Sequence, residues 1–138
     1  MRITEIVRVD SKGRITIPMV IRESLNIVEG MYVVLIADTS RREIIVSPVV
    51  FPGTKLYEVY MEINDVPGAL AEVTDFMAKY GVDLIATHCT TVRRGETAEC
   101  TLIADMSKSS LDPNKLKLEL SKLTNVKLVN IRQLQRSI

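Results

Sequence analysis

The hydrophobic and polar positions divide the chain into two differently patterned parts. In the first part, apolar residues follow one another without interruption at 32–36 and 44–46. Such runs indicate strands that are buried on both faces. In the second part, residues 56–63 alternate between apolar and polar side chains, which indicates a strand with one buried face. The two parts therefore predict different environments for their sheets.

The first part begins with a predicted hairpin. Two β-branched runs, residues 3–9 and 14–17, flank the polar, basic tip Ser11-Lys12-Gly13-Arg14, in which Gly13 supplies the positive φ of a tight turn. Pro18 then suits the first position of a helix. The remaining predicted elements of this part are a helix over 18–25 and strands over 31–37 and 43–47.

These strands have more apolar surface than their own part can cover. A segment of some 50 residues is too small to bury two apolar faces by itself. The simplest arrangement is a dimer in which two copies interleave and share one core. Such a dimer also places two basic tips side by side.

Positive charge concentrates at this end of the chain, although the whole protein has a net charge of only +1. A local basic surface is typical of a small nucleic-acid-binding domain. The charged residues up to position 22 are Arg2, Arg8, Lys12, Arg14 and Arg22 against Glu5 and Asp10.

The run over residues 9–18, followed by Ile21-Arg22, Leu25 and Gly30, resembles the AbrB/SpoVT swapped-hairpin DNA-binding domain and the related MazE-type antitoxins. The resemblance covers about the first third of the chain. It implies a mainly-β, swapped-hairpin homodimer that binds double-stranded DNA. The implied contacts are Arg14 and Arg22, supported by Arg8 and Lys12. The sequence departs at Glu23, where AbrB-like proteins often have a second arginine.

A proline-containing linker at about 48–55 separates domains predicted over 1–50 and 51–138. The second domain follows the order βαββαβ, the α+β ferredoxin-like arrangement. Gly81 is expected to end its first helix. The predicted elements are strands over 56–63, 84–92, 96–106 and 126–134, and helices over 67–80 and from 112 onward with Leu116, Leu120 and Leu123 on its apolar face.

Residues 65–73, followed by 80–84, resemble an ACT domain, a family that generally binds small molecules, most often amino acids, between two copies. The backbone N–H groups at the start of the helix favour a carboxylate. Asp65 then takes the ligand's ammonium group, and Asp83 completes the site across the dimer. The alternative is that Asp65 only caps the helix. The predicted ligand-binding residues are Asp65, Val66, Pro67, Gly68, Ala69, Leu70 and Asp83.

The two cysteines are Cys89 and Cys100, and His88 is the only histidine. A symmetric hairpin about Arg94-Gly95 places the cysteines opposite each other, which allows a disulfide in some registers. We expect reduced, buried thiols, as in a cytoplasmic protein. Neighbours on a strand point to opposite faces, so His88 and Cys89 are not expected to bind one metal.

The sequence therefore predicts a cytoplasmic, DNA-binding transcriptional regulator with an amino-acid effector and no other cofactor. No nucleophile–base pair is apparent, so no catalysis is expected. No apolar run reaches the ~18 residues of a membrane span. Two alternatives stay open: a regulatory subunit that docks onto a metabolic enzyme, and an antitoxin-like protein that neutralises a partner.

Overall fold

The computed structural model describes residues 1–49 and 55–135. The chain divides into two compact units, Met1–Phe51 and Pro52–Ile138, called here the N-terminal and the C-terminal unit. The predicted linker falls mainly on residues 50–54, which lie outside the described residues. No helix in the described part of the chain is long and apolar enough to cross a membrane.

Among its described residues, the N-terminal unit forms a short helix and a β-hairpin. The helix α1 spans Met19–Ser24, with Pro18 one position before its first residue. Strands β1 (Tyr32–Asp38) and β2 (Glu43–Val49) pair antiparallel. Since both strands are rich in β-branched residues, they form the extended ladder that the sequence predicts.

The strands predicted over 3–9 and 14–17 are not formed in the single chain. Only the turn between them is closed, by bonds from the Asp10 N–H to the Arg14 carbonyl (3.0 Å) and from the Gly13 N–H to the Asp10 carbonyl (3.1 Å). The prediction of paired strands is therefore wrong for an isolated chain. Gly13 has the positive φ, +76°, that the turn was expected to require.

Apolar side chains of the N-terminal unit remain largely exposed. Among the described residues, Ile36 is the only buried hydrophobic residue of this unit. Leu35 is 65% exposed and Ile44 69%, and both lie on one face of the hairpin because Leu35 pairs with Val46 and Ala37 with Ile44. Further exposed apolar residues are Ile6, Val7, Val9, Ile15, Met19, Val20, Leu25, Val28, Tyr32 and Val46.

The C-terminal unit has the α+β organisation and the βαββαβ order that the sequence predicts. Its four strands form one antiparallel sheet in the order β4-β5-β3-β6. The elements are β3 (Leu56–Asn64), α2 (Ala69–Lys79), β4 (Asp83–Arg93), β5 (Thr97–Asp105), α3 (Pro113–Ser121) and β6 (Val126–Gln133).

The core of the C-terminal unit lies between the two helices and one face of the sheet. Alternate residues of β3 (Val59, Met61 and Ile63) are at most 3% exposed, as the alternating pattern requires. Both helices contribute fully buried side chains, including Met77 from α2 and Leu120 from α3. Leu123, predicted on the apolar face of α3, lies beyond the end of that helix but still packs against the core.

Gly81 follows α2 with φ +78°, which confirms the predicted end of this helix. The Val82 N–H donates to the Met77 carbonyl (3.0 Å). A Cβ atom at position 81 would lie 2.5 Å from the Lys108 carbonyl oxygen. The site therefore requires glycine both for its backbone conformation and for space.

Candidate functional sites

The basic tip, defined as residues 10–14, is organised by one carboxylate. Asp10 Oδ1 accepts hydrogen bonds from the backbone N–H groups of Lys12 and Arg14, both at 2.9 Å. Asp10 Oδ2 accepts from Arg14 Nε at 2.8 Å. This network is an Asx-type turn, and it fixes the backbone that presents Lys12 and Arg14.

The same contacts shift the titration of Asp10. The Arg14 backbone N–H, followed by the Arg14 guanidinium, lowers the pKa of Asp10 below its ordinary value of 3.8. The carboxylate is therefore charged at neutral pH and holds the turn closed. The Arg14 side chain remains 70% exposed. Because a guanidinium has five N–H donors, the contact through Nε leaves the group able to contact an anion.

The other predicted DNA-binding residues occupy two different environments. Arg8 and Lys12 are exposed, as is Arg14. Arg22 is half-buried instead, and its Nη1 donates to the Ile17 carbonyl. This contact ties α1 to the preceding segment. The structure thus brings Lys12 and Arg14 together at the tip, whereas the Arg22 guanidinium donates to a backbone carbonyl outside the tip.

A second candidate site is a cavity of about 170 Å³ at the start of α2, called here the α2 cavity. Four of the seven predicted ligand-binding residues line it, whereas Pro67, Gly68 and Asp83 do not. The lining residues are Ile63, Asn64, Asp65, Val66, Ala69, Leu70, Cys89, Thr90, Thr91, Ala98 and Cys100.

Asp65 does not cap the helix, contrary to the alternative interpretation. The residue before α2 is Gly68, in a left-handed conformation, and no side chain caps this end. Asp65 Oδ2 instead accepts from the Gly95 N–H at 2.8 Å, in the turn between β4 and β5. The Asp65 carboxylate thus connects the loop before α2 to the neighbouring hairpin.

The start of α2 differs in detail from the predicted carboxylate site. The helix begins at Ala69 rather than at Pro67. The Ala69 N–H already donates to the Val66 carbonyl (3.2 Å), so it is not available as predicted. The N–H groups of Leu70 and Ala71, in the first turn, have no intrahelical acceptor and remain the donors for an anion.

Asp83 lies far from the α2 cavity within one chain. It pairs with Asp105 at one end of the sheet, and Asp105 in turn pairs with Leu56 at the start of β3. Asp65 follows the opposite end of β3. The single chain therefore does not bring Asp65 and Asp83 together, and a joint site requires a second copy.

Cys89 and Cys100 form a disulfide, which corrects the expectation of reduced thiols. They are register partners in β4 and β5 with Cα atoms 4.1 Å apart, as the symmetric hairpin places them. Their disulfide forms part of the α2 cavity. The sequence does not reveal this placement, because strand parity alone does not show that α2 begins next to the two cysteines. In the described part of the chain, no three His, Cys, Asp or Glu side chains cluster as metal ligands do.

The face of the C-terminal sheet that points away from the helices contains a group of charged and polar residues. Arg132 Nη2 lies 2.5 Å from Glu58 Oε2. Burial, together with the nearby Glu99 and Glu62 carboxylates, raises the pKa of Tyr60 to about 12. The Arg132–Glu58 pair connects β6 to β3 on the sheet face that lies opposite the helices.

Residues 6–53 match a family described as "Antidote-toxin recognition MazE, bacterial antitoxin". The N-terminal unit is therefore similar to a MazE-type, antitoxin-like domain, which confirms in part the resemblance of the first third of the chain to AbrB/SpoVT and MazE-type proteins. The match ends at residue 53, just after the C-terminal unit begins, and the ACT resemblance of that unit stays a prediction. No curated protein matches the chain significantly.

Proposed function

We propose that this protein is a dimeric, DNA-binding transcriptional regulator that responds to a small molecule, an amino acid, and has no catalytic activity. The observation that carries the proposal is the basic tip on a unit with exposed apolar side chains. The match to a MazE-type domain over residues 6–53 supports the same interpretation.

Dimerisation covers the exposed apolar face of the N-terminal unit. Soluble monomers rarely expose a continuous apolar surface of this kind, and Leu35, Ile44 and Val46 lie together on one face of the hairpin. Residues 3–9 and 14–17 also have backbone groups without strand partners in the single chain. A second copy supplies both the missing apolar contacts and the missing strand neighbours.

The tips of such a dimer form the DNA-binding surface. Arg14 contacts phosphate through charge-assisted hydrogen bonds, with Lys12 and Arg8 beside it. Arg22 supports this surface by holding α1 against the Ile17 carbonyl. The fixed Asp10 turn keeps the Arg14 backbone in place, which reduces the entropy lost on binding.

The α2 cavity is the proposed effector site. Its size suits a small molecule, and apolar residues such as Ile63, Val66 and Leu70 line it together with polar ones. The N-terminus of α2 attracts a carboxylate, while the Asp65 carboxylate attracts an ammonium group. An amino acid combines both charges with a side chain for the apolar wall.

DNA binding is tested with the full chain and a random-sequence duplex, since nonspecific affinity is electrostatic. The logarithm of Kd should rise linearly with the logarithm of salt concentration, and Arg14→Gln should reduce that slope. Arg41→Gln is the matched control, because Arg41 is exposed in the loop between β1 and β2 and pairs there with Glu43. A Kd without salt dependence, or equal slopes for the two variants, contradicts the proposal.

Effector binding is tested by thermal melting of the full chain with each of the twenty amino acids. Specific binding raises Tm in proportion to the logarithm of ligand concentration over Kd. A shift with one or two amino acids supports the α2 cavity as the site, provided that Asp65→Asn abolishes it. No shift with any amino acid contradicts the effector proposal and leaves DNA binding unaffected.

Toxin neutralisation is the second candidate function, favoured by the family description of residues 6–53. An antitoxin of this kind is expected to wrap its partner with a segment that is disordered when free. The chain instead continues into a C-terminal unit with a packed core. A stable complex between the full chain and a toxin protein, formed without DNA, would favour this candidate over the regulator.

A further inference from the structure

The Cys89–Cys100 disulfide lies at the wall of the α2 cavity and at the edge of the sheet. Both cysteines line the cavity, together with Ala69 and Leu70 from the first turn of α2. Strand β4 is an edge strand, paired only with β5 in the described sheet. Cys100 is 1% exposed, whereas Cys89 is partly exposed. The bond therefore joins a core strand to an edge strand beside the cavity.

We propose that this disulfide is a reversible thiol–disulfide exchange site, that small-molecule thiols are its reductant, and that its redox state sets the shape of the α2 cavity. The exchange itself depends only on the cysteines. Its effect on ligand binding rests on the effector function proposed above.

The difference in exposure determines which sulfur reacts first. The thiolate of a small thiol attacks Cys89 Sγ, the more accessible sulfur, and the S–S bond breaks. The electron pair leaves on Cys100 Sγ, which takes a proton from solvent. A second small thiolate then attacks the small-thiol sulfur of the mixed disulfide and releases Cys89, which is also protonated. Overall, the protein disulfide gains two electrons and two protons, and two small thiols become one disulfide.

Reduction changes the cavity because the two sulfur atoms separate. They pass from bonded contact to a van der Waals separation of about 3.5–4 Å. Cys100 is held in the core, whereas Cys89 is on the edge strand beside the cavity. We therefore expect Cys89 to move toward the cavity and β4 to open more readily. The oxidised form has the larger and more rigid cavity.

The first test compares the two redox states of the full chain. The protein is equilibrated in stepped ratios of reduced to oxidised glutathione, and free thiols are counted by alkylation and mass spectrometry. Amide hydrogen exchange is then measured on each state. Oxidation should slow exchange about tenfold in peptides covering 63–70 and 86–92. Peptides from α3, residues 113–121, serve as the internal control and should not change.

The variant Cys89→Ala/Cys100→Ala should exchange like the reduced protein under all glutathione ratios. If this variant loses its far-UV circular dichroism, Cys89→Ser, which keeps Cys100 in the core, gives the same comparison. The proposal is overturned if glutathione does not convert the two forms reversibly, or if peptides 63–70 and 86–92 exchange equally in both states.

The second test repeats the amino-acid melting series on oxidised and reduced protein. Any amino acid that raises Tm should raise it more in the oxidised form. Equal shifts, or a larger shift in the reduced form, contradict the effect on the cavity. If no amino acid shifts Tm in either state, the effector function fails, and the exchange measurement alone decides whether the disulfide controls the cavity.

Discussion

The two units of the chain differ in where they place their apolar side chains. In the C-terminal unit, strand and helix faces meet around one core, and 17 of the 18 buried hydrophobic residues in the described part of the chain belong to it. In the N-terminal unit, apolar residues of similar size remain at the surface, with Leu35 and Ile44 among the most exposed. The C-terminal unit is therefore stabilised by its own contacts, whereas the described residues of the N-terminal unit form little core of their own in the single chain.

This difference also separates their proposed functions. A unit that completes its core only by dimerising fixes the relative position of its two tips, because the interface and the tip belong to the same short segment. A unit with its own core can instead contain a cavity, such as the one at the start of α2. Coupling between them requires that a ligand bind one arrangement of the dimer more tightly than another.

The largest expected effect is in the C-terminal core. Leu120→Ala removes a fully buried side chain and should lower the free energy of unfolding of this unit by about 2–5 kcal/mol. Leu118→Ala is the matched control, since Leu118 lies on the same helix and is 57% exposed. It should change stability by no more than about 0.5 kcal/mol. Urea unfolding followed by circular dichroism measures both, and equal losses would refute the assignment of the core.

The next effect is in the N-terminal unit and appears as a change in association. Leu35→Glu places a charge on the exposed apolar face and should weaken the dimer about a hundredfold, or ~2.8 kcal/mol. Leu118→Glu makes the same substitution at an exposed leucine of the C-terminal unit. Light scattering over a dilution series measures the dimer Kd. The comparison fails if both variants dissociate equally or if neither does.

A smaller effect is expected at the end of α2. Gly81→Ala forces a left-handed backbone on alanine and adds a Cβ atom 2.5 Å from the Lys108 carbonyl oxygen. This should destabilise the C-terminal unit by about 1–3 kcal/mol. Gly95 has a similar φ, +75°, but no atom lies within 4 Å of a Cβ added there. Gly95→Ala should therefore lower the stability of the unit less than Gly81→Ala. Thermal melting distinguishes them, and a larger loss for Gly95→Ala would show that space at position 81 is unimportant.

The smallest effect is a pH dependence of the basic tip. Folding lowers the pKa of Asp10 below 3.8. The Asp10 carboxylate therefore stabilises the folded turn above that pH, and this stabilisation is lost as pH falls through the lower pKa of the folded state. An NMR titration of the Lys12 and Arg14 amides should therefore show the turn opening only below pH 3.8. Asp10→Asn should abolish this transition. An amide titration with a midpoint above 3.8 would contradict the Asp10 network.

Local patterns in the sequence predicted the C-terminal fold well. The alternation along β3 and the glycine after α2 are local signals, because each depends only on residues that are close together in the sequence. The disulfide was harder to predict, because Cys89 and Cys100 depend on register and on the redox environment. The role of Asp65 was not predictable, since its acceptor contact to the Gly95 N–H joins residues 30 positions apart.

In the N-terminal unit, the sequence indicated more strand than the single chain forms. Residues 3–9 have the composition of a strand, but strand pairing depends on a neighbour. The same composition that predicts the strand also predicts the need for a second copy. Arg22 was assigned to DNA through the family resemblance, and that resemblance does not show that a nearby carbonyl, that of Ile17, accepts from its guanidinium.

Sedimentation velocity of the full chain over a wide concentration range tests the central claim most directly. If the N-terminal unit completes its core with a second copy, the protein should have a mass of about twice 15.5 kDa, and amides of residues 3–9 should be protected from exchange. A species of 15.5 kDa at all concentrations would contradict the account, whether or not those amides are protected.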